Sequence, residues 1–166
     1  LDLFAVLFGG AVALLPVYAS DILDVGPEGL GYLKAAPGVG AILVSILLTK
    51  YPLKYKIGFH ILVSVALFGV SMLGFGLASS FLACLFFLFL SGVFDTVSVI
   101  IRSTIVQTYT PTELMGRVMS VNLIFIGSSN ELGAFESGLA AKYLGVVPSV
   151  IAGGVMTILT TLLIAI

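Results

Sequence analysis

Six long apolar runs dominate the chain, about 1–20, 29–49, 57–78, 81–107, 117–143 and 146–166, each bounded by polar or turn residues. A helix needs about 20 such residues to cross the ~30 Å hydrocarbon core of a bilayer, and every run has that length. The runs are continuous rather than alternating, which excludes the strands of a membrane barrel. In lipid each backbone N–H and C=O has to be satisfied within the segment or by a closed barrel, so helices remain. Only 9% of residues are charged and 60% are hydrophobic, against about 25% charged in an ordinary soluble domain. The expected fold is an all-α membrane protein, a bundle of six transmembrane helices.

The connections suggest an orientation. SDILDVGPE (20–28) is acidic, whereas KYPLKYK (50–56) holds three lysines in a short loop. The positive-inside rule puts that second loop in the cytoplasm. TYTPTELMGR (108–117) then returns to the same side with Glu113, Gly116 and Arg117, and LASSF (77–81) and KYLGVVPS (142–149) fall outside, Lys142 being the one dissenting charge. Both chain ends are expected in the cytoplasm. Thr110-Pro111-Thr112-Glu113 has the order of a capping box, threonine at the N-cap, proline next and glutamate third, and should begin a short helix or the fifth span. The first residue is Leu1, and the first run lacks a positive leader and a cleavage pattern, so the chain reads as a piece of a longer one.

Polar residues inside the spans are few and unevenly placed. The third and sixth spans carry no charge, with only His60 near an end, and are free to face lipid all round. The second holds Lys34, the fourth Asp95 and Arg102, and the fifth Asn122, Asn130, Glu131 and Glu136. A charge facing lipid costs on the order of 2.5–3.5 kcal/mol or more, so these spans must turn a face inward. Two functional spans followed by a plain one, twice over, read as two three-helix repeats, the second inverted because three crossings start it on the opposite side.

At about 1.5 Å per residue, Asp95 and the Asn130–Glu131 pair lie near the centres of their spans. Asp95, Ser98 and Arg102 share one face of the fourth helix. Asn122, Ser129 and Glu136 follow a seven-residue spacing, which returns within about 20° and marks the expected cavity-facing stripe of the fifth. Lys34 and Glu136 lie at matching depth, about 8 and 9 Å outward of their span centres, and are candidates for an ion pair. Glu131 has two readings: a carboxyl that takes up and releases a proton, with Asp95 as its neighbour, or a structural carboxyl bonded across helices. Arg102 can line the path or snorkel to the interface. Ala36-xxx-Gly40 and Ala134-xxx-Gly138 are small-xxx-small pairs that let helices approach.

Several functions are set aside. A net charge of −1 offers no basic patch for nucleic acid. No metalloprotease, nucleophile-elbow, phosphate-loop or CxxC motif occurs, and the single histidine, His60, and single cysteine, Cys84, sit in different spans. No metal or cofactor is expected. An intramembrane enzyme and a six-helix structural or assembly subunit stay as alternatives to transport.

The loop TPTELMGRVMSVN (110–122), the stretch LPVYASDILDVGPEGLGYLKAAPGVGA, the run FDTVSVIIRSTIVQ and the segment IGSSNELGAFESGLAA resemble the C-terminal half of major facilitator superfamily exporters, in the branch of the enterobactin exporter. The similarity spans essentially the whole chain. It departs from the family where Met115-Gly116-Arg117 stands for Arg-Gly-Arg, which removes one loop cation. The resemblance implies half of a major facilitator fold in the bacterial inner membrane and proton-driven export by alternating access. It also implies a small amphipathic substrate, siderophore or drug-like, and a further N-terminal six-helix half as partner. Glu131 and Asp95 are then the proton-coupling candidates. Asn122, Ser129, Asn130, Glu136, Lys34 and Arg102 are the candidates for the substrate path.

Overall fold

The computed structural model describes residues 10–51 and 57–165; Lys54 and Lys56 of the lysine loop, the first nine residues of the first expected span and Ile166 lie outside them. Six helical segments follow one another, with no strand among the described residues. The first, α1, is irregular: a 3-10 turn Gly10–Leu14, an α turn Leu15–Val17 and a π turn Tyr18–Ile22. Pro16 sits at its centre and has no N–H to give the preceding turn, and the wide turn is closed by Leu23 N–H to Tyr18 O at 2.9 Å.

The regular helices are α2 Gly26–Lys50, α3 Ile57–Leu77, α4 Phe81–Tyr109, α5 Met115–Leu144 and α6 Val146–Ala165. All five lie within three residues of the expected spans at either end. Asp24 and Gly26 take positive φ (49° and 65°) before α2, and Pro27 occupies its first turn, where a missing N–H costs nothing. Ser80 caps α4 by accepting from Ala83 N–H at 3.3 Å. Helices α2, α3, α4 and α6 are long and apolar enough to cross a membrane, while the described part of α1 is a shorter apolar helix.

The expected capping box does not form. Thr110 ends α4 instead: its backbone N–H and its hydroxyl both donate to Val106 O, at 3.1 and 2.6 Å, so its side chain bonds backward rather than to the N–H groups ahead. The connection is nonetheless an ordered turn, closed by Leu114 N–H to Pro111 O at 3.0 Å, and Leu114 precedes α5 without a side-chain cap.

The pairing of helices follows two three-helix units. Packing of α2 on α4 is matched by α1 on α5, that of α3 on α4 by α1 on α6, and α3 packs on α6. Exchanging the first three segments with the last three maps these pairs onto one another. The α2–α4 crossing is a backbone contact: a Cβ on Gly92 would lie 2.6 Å from the carbonyl carbon of Pro37, and one on Gly40 would meet Phe89 O. Helices α3 and α6 do not face lipid all round as expected. They meet at Gly69 and Gly154, and Thr157 between them is fully buried. Close approach of glycines gains van der Waals contact, the main attraction available between helices in lipid.

Several buried hydroxyls bond within their own helix, while Tyr18 Oη donates across from α1 to Gly76 O of α3 at 3.5 Å. Ser71, Ser129, Thr157 and Thr161 each donate to the carbonyl four residues back in their own helix, at 2.7–2.9 Å. This satisfies them without a partner helix. The buried apolar core gathers Leu15, Tyr18, Leu33, Phe75, Cys84 and Leu88 at the end of the bundle where α2 and α4 begin. There Tyr18 stacks on Phe75 with ring centres 4.5 Å apart.

Candidate functional site

Beside this core, toward mid-bundle, lies a cavity of about 640 Å³ to which α1, α2, α3, α4 and α5 all contribute. Met72, Ser91 and Gly92 are buried and form its floor. Pro37, Phe68, Asp95 and Ala134 are half-buried walls, and Val12, Ala13, Lys34 and Asn130 are exposed at its mouth. Ser91 donates its hydroxyl to Leu88 O at 2.7 Å, so its proton is not offered to the cavity. Among the described lining residues the free polar groups are the Lys34 ammonium, the Asp95 carboxyl and the Asn130 amide.

Three of the residues picked out from sequence, Lys34, Asp95 and Asn130, are thus brought together. Pro37 and Gly92 make that possible, because their backbone contact brings α2 and α4 close just where each helix carries its charge one turn away.

The other candidates are placed elsewhere. Ser129, with Gly133 and Ser137, forms a buried seam along α5. The seven-residue stripe therefore faces neighbouring helices rather than the cavity, and Asn122 and Glu136 are half-buried along it. A helix turns about 100° per residue, so with Ser129 in the seam Asn130 reaches the cavity and Glu131 points nearly opposite. Glu131 is accordingly exposed and does not line the cavity. The small-residue pair Ala134-xxx-Gly138 does not form the α5 contact either: Gly138 is exposed with open space around it, and the seam runs one residue earlier. No ion pair joins Lys34 to Glu136 among the described residues; depth matched, but Lys34 belongs to the cavity and Glu136 to the seam face.

Arg102 is half-buried two turns beyond Asp95, while Glu113, Gly116 and Arg117 are exposed at the α4–α5 connection. His60 is half-buried at the start of α3. A second hollow of about 380 Å³ opens among α2, α3 and α4 at the opposite end, lined by Leu48, Ile57, Ile101 and Thr104, and its described lining residues carry no charge. Among the described residues no three His, Cys, Asp or Glu side chains gather as a metal site would require.

Sequence reasoning missed Phe68, Met72 and Ser91 as cavity walls. The α3 pair sits in a charge-free span, and Ser91 looks like any packing serine, so only the fold reveals them.

The chain is a helical membrane bundle, with four helices long and apolar enough to cross a membrane and with Lys34, Asp95 and Asn130 at one cavity. The chain belongs to the transmembrane secretion effector family, whose model matches residues 2–166. No curated protein matches it. Family membership supports a role in transport across the membrane rather than catalysis.

Proposed function

We propose that the chain is the C-terminal six-helix half of a secondary-active exporter that moves a small amphipathic molecule outward in exchange for protons. The observation that carries this reading is the cavity in which Lys34, Asp95 and Asn130 converge within an otherwise apolar bundle. Intramembrane charges are expensive and are kept where they bind or move something. In this reading all six segments cross the bacterial inner membrane, with both chain ends in the cytoplasm. The path runs between this bundle and an N-terminal six-helix half, and the resemblance to the enterobactin-exporter branch supports a siderophore or drug-like substrate.

Asp95 is the internal proton carrier. Glu131, on the open face of α5, is a second carboxyl that the N-terminal half would cover. Asn122, Ser129 and Glu136 support the path through the seam, and Arg102 lies toward its cytoplasmic end.

The test is export of a catecholate siderophore and a cationic dye from proteoliposomes holding the full-length protein, with and without an imposed pH gradient. Asp95→Asn is expected to abolish gradient-driven export while leaving the protein folded, and Glu131→Gln to slow it with its pH dependence intact. Export by Asp95→Asn at the parent rate and with the parent pH dependence would sink the assignment.

A further inference from the structure

Helices α2 and α4 run side by side in the same direction. Gly29 lies against Phe81, and Gly40 against Phe89 and Val93. The tightest crossing, Gly92 on Pro37, puts Asp95 six residues further along than Lys34 and the Gly29–Phe81 register puts it nine further, roughly 9–13 Å of helix rise. Across that span the two charges form no ion pair among the described residues. The cavity is therefore elongated, with a cation at one end and a carboxyl at the other. Pro37, Gly92, Phe68 and Met72 make the apolar stretch between them. Its size falls in the range of about 300–1,000 Å³ usual for small-molecule sites.

We infer that this cavity is a dipolar binding site, whose ligand carries an anionic or acceptor group for Lys34 at one end and an ammonium or N–H donor for Asp95 at the other. The inference rests on the export reading and names the substrate class for it.

The charges facing Asp95 within the cavity are few. The described lining residues of α1, α3 and α5 are all uncharged, α2 supplies only Lys34, and Arg102 lies about 10 Å further along α4, off the lining. A plain anion suits Lys34 but is repelled by ionised Asp95. Protonation of Asp95 would strengthen its binding, so proton and anion would travel together, which is the wrong direction for exchange. A plain cation competes with the proton for Asp95 but is repelled by Lys34. A ligand with both ends satisfies both groups, and its donor end leaves with the arrival of a proton on the Asp95 carboxyl. Proton and ligand then exclude one another, as exchange requires.

Three probes of matched length separate these cases: 6-aminohexanoate, hexylamine and hexanoate. Their binding to the full-length protein in lipid nanodiscs, less that to empty nanodiscs, is read by ligand-detected NMR titration near neutral pH. The dipolar probe is expected to bind about tenfold more tightly than either single-ended one, the size of one charge-assisted hydrogen bond. Its binding should also weaken as the pH is lowered, because a proton on the Asp95 carboxyl and the donor end of the probe exclude one another. Asp95→Asn should bring hexanoate level with the dipolar probe, and Lys34→Gln should bring hexylamine level. Equal binding of the three probes by the parent protein, no binding of any, or an unchanged order in both variants overturns the inference. The parent order decides the matter even where a variant does not fold. Dipolar preference without gradient-driven export would refute the export reading alone, whereas export without the preference would refute the dipolar site alone.

Discussion

Gly92→Ala probes the contact on which the cavity depends. The added methyl would lie 2.5 Å from Pro37 Cα and 2.6 Å from its carbonyl carbon, well inside the 3.5–4.0 Å at which carbon atoms attract. The atoms it meets are backbone inside a helix and cannot rotate away, so α2 and α4 have to separate. Overpacking of this kind costs about 1–3 kcal/mol, and the rigid partner places it at the upper end. Alanine returns about 0.5–1 kcal/mol of helix propensity, leaving a net loss of about 2 kcal/mol. At roughly 2–4 °C per kcal/mol for a chain of this size, Tm should fall by about 4–8 °C. Gly127→Ala is the control. Nothing lies within 4 Å of its added methyl, so only the propensity gain remains and Tm should hold or rise slightly. Gly69→Ala should fall between them, because the nearest atom there is the side-chain Cγ1 of Ile158 at 2.8 Å, which can move. Thermal unfolding in one detergent, followed by loss of monodisperse protein on size exclusion, measures all three. Equal Tm values for Gly92→Ala and Gly127→Ala would refute the backbone contact between α2 and α4.

Thr110→Ala should cost only about 0.5–1 kcal/mol, because it removes the hydroxyl bond to Val106 O while the backbone N–H of residue 110 still reaches that oxygen, whereas Glu113→Gln should leave Tm unchanged because no capping box is made; a loss from Glu113→Gln alone would restore the box. Lys34→Ala and Glu136→Ala, singly and together, should be additive in Tm within about 0.5 kcal/mol, because the two side chains occupy different faces of the bundle. A larger coupling energy in that cycle would show that they meet after all.

The fold was legible because its main cause is one-dimensional. Apolar length predicts spanning helices, and α2, α3, α4 and α6 are long and apolar enough to cross, whereas α5, which carries Arg117, Glu131, Glu136 and Lys142, matches its expected span in extent but not in apolarity. The charge-free third and sixth spans correspond in the two halves, but α3 and α6 pack on each other rather than facing lipid all round. Rotation of a helix about its axis was harder to read. The period of Asn122, Ser129 and Glu136 correctly marks one face of α5, but a period does not say what that face meets. Glycine and serine at 133 and 137 make it a packing seam, and a seam of small residues is invisible to a search for polar groups.

That one angle decides the roles of the two neighbours at the centre of α5. Asn130 and Glu131 share a depth, and depth was all the sequence could supply. With Ser129 held in the seam, the ~100° step between consecutive residues sends the neutral amide into the cavity and the carboxylate out to the open face. Among the described residues the cavity therefore has one acid, Asp95, where sequence reasoning placed two at the same level. Two facing carboxylates would have held one proton between them and bound cations. One carboxyl separated from one ammonium makes a dipole instead, so a rotation of α5 by a single residue step would change the class of molecule the site accepts.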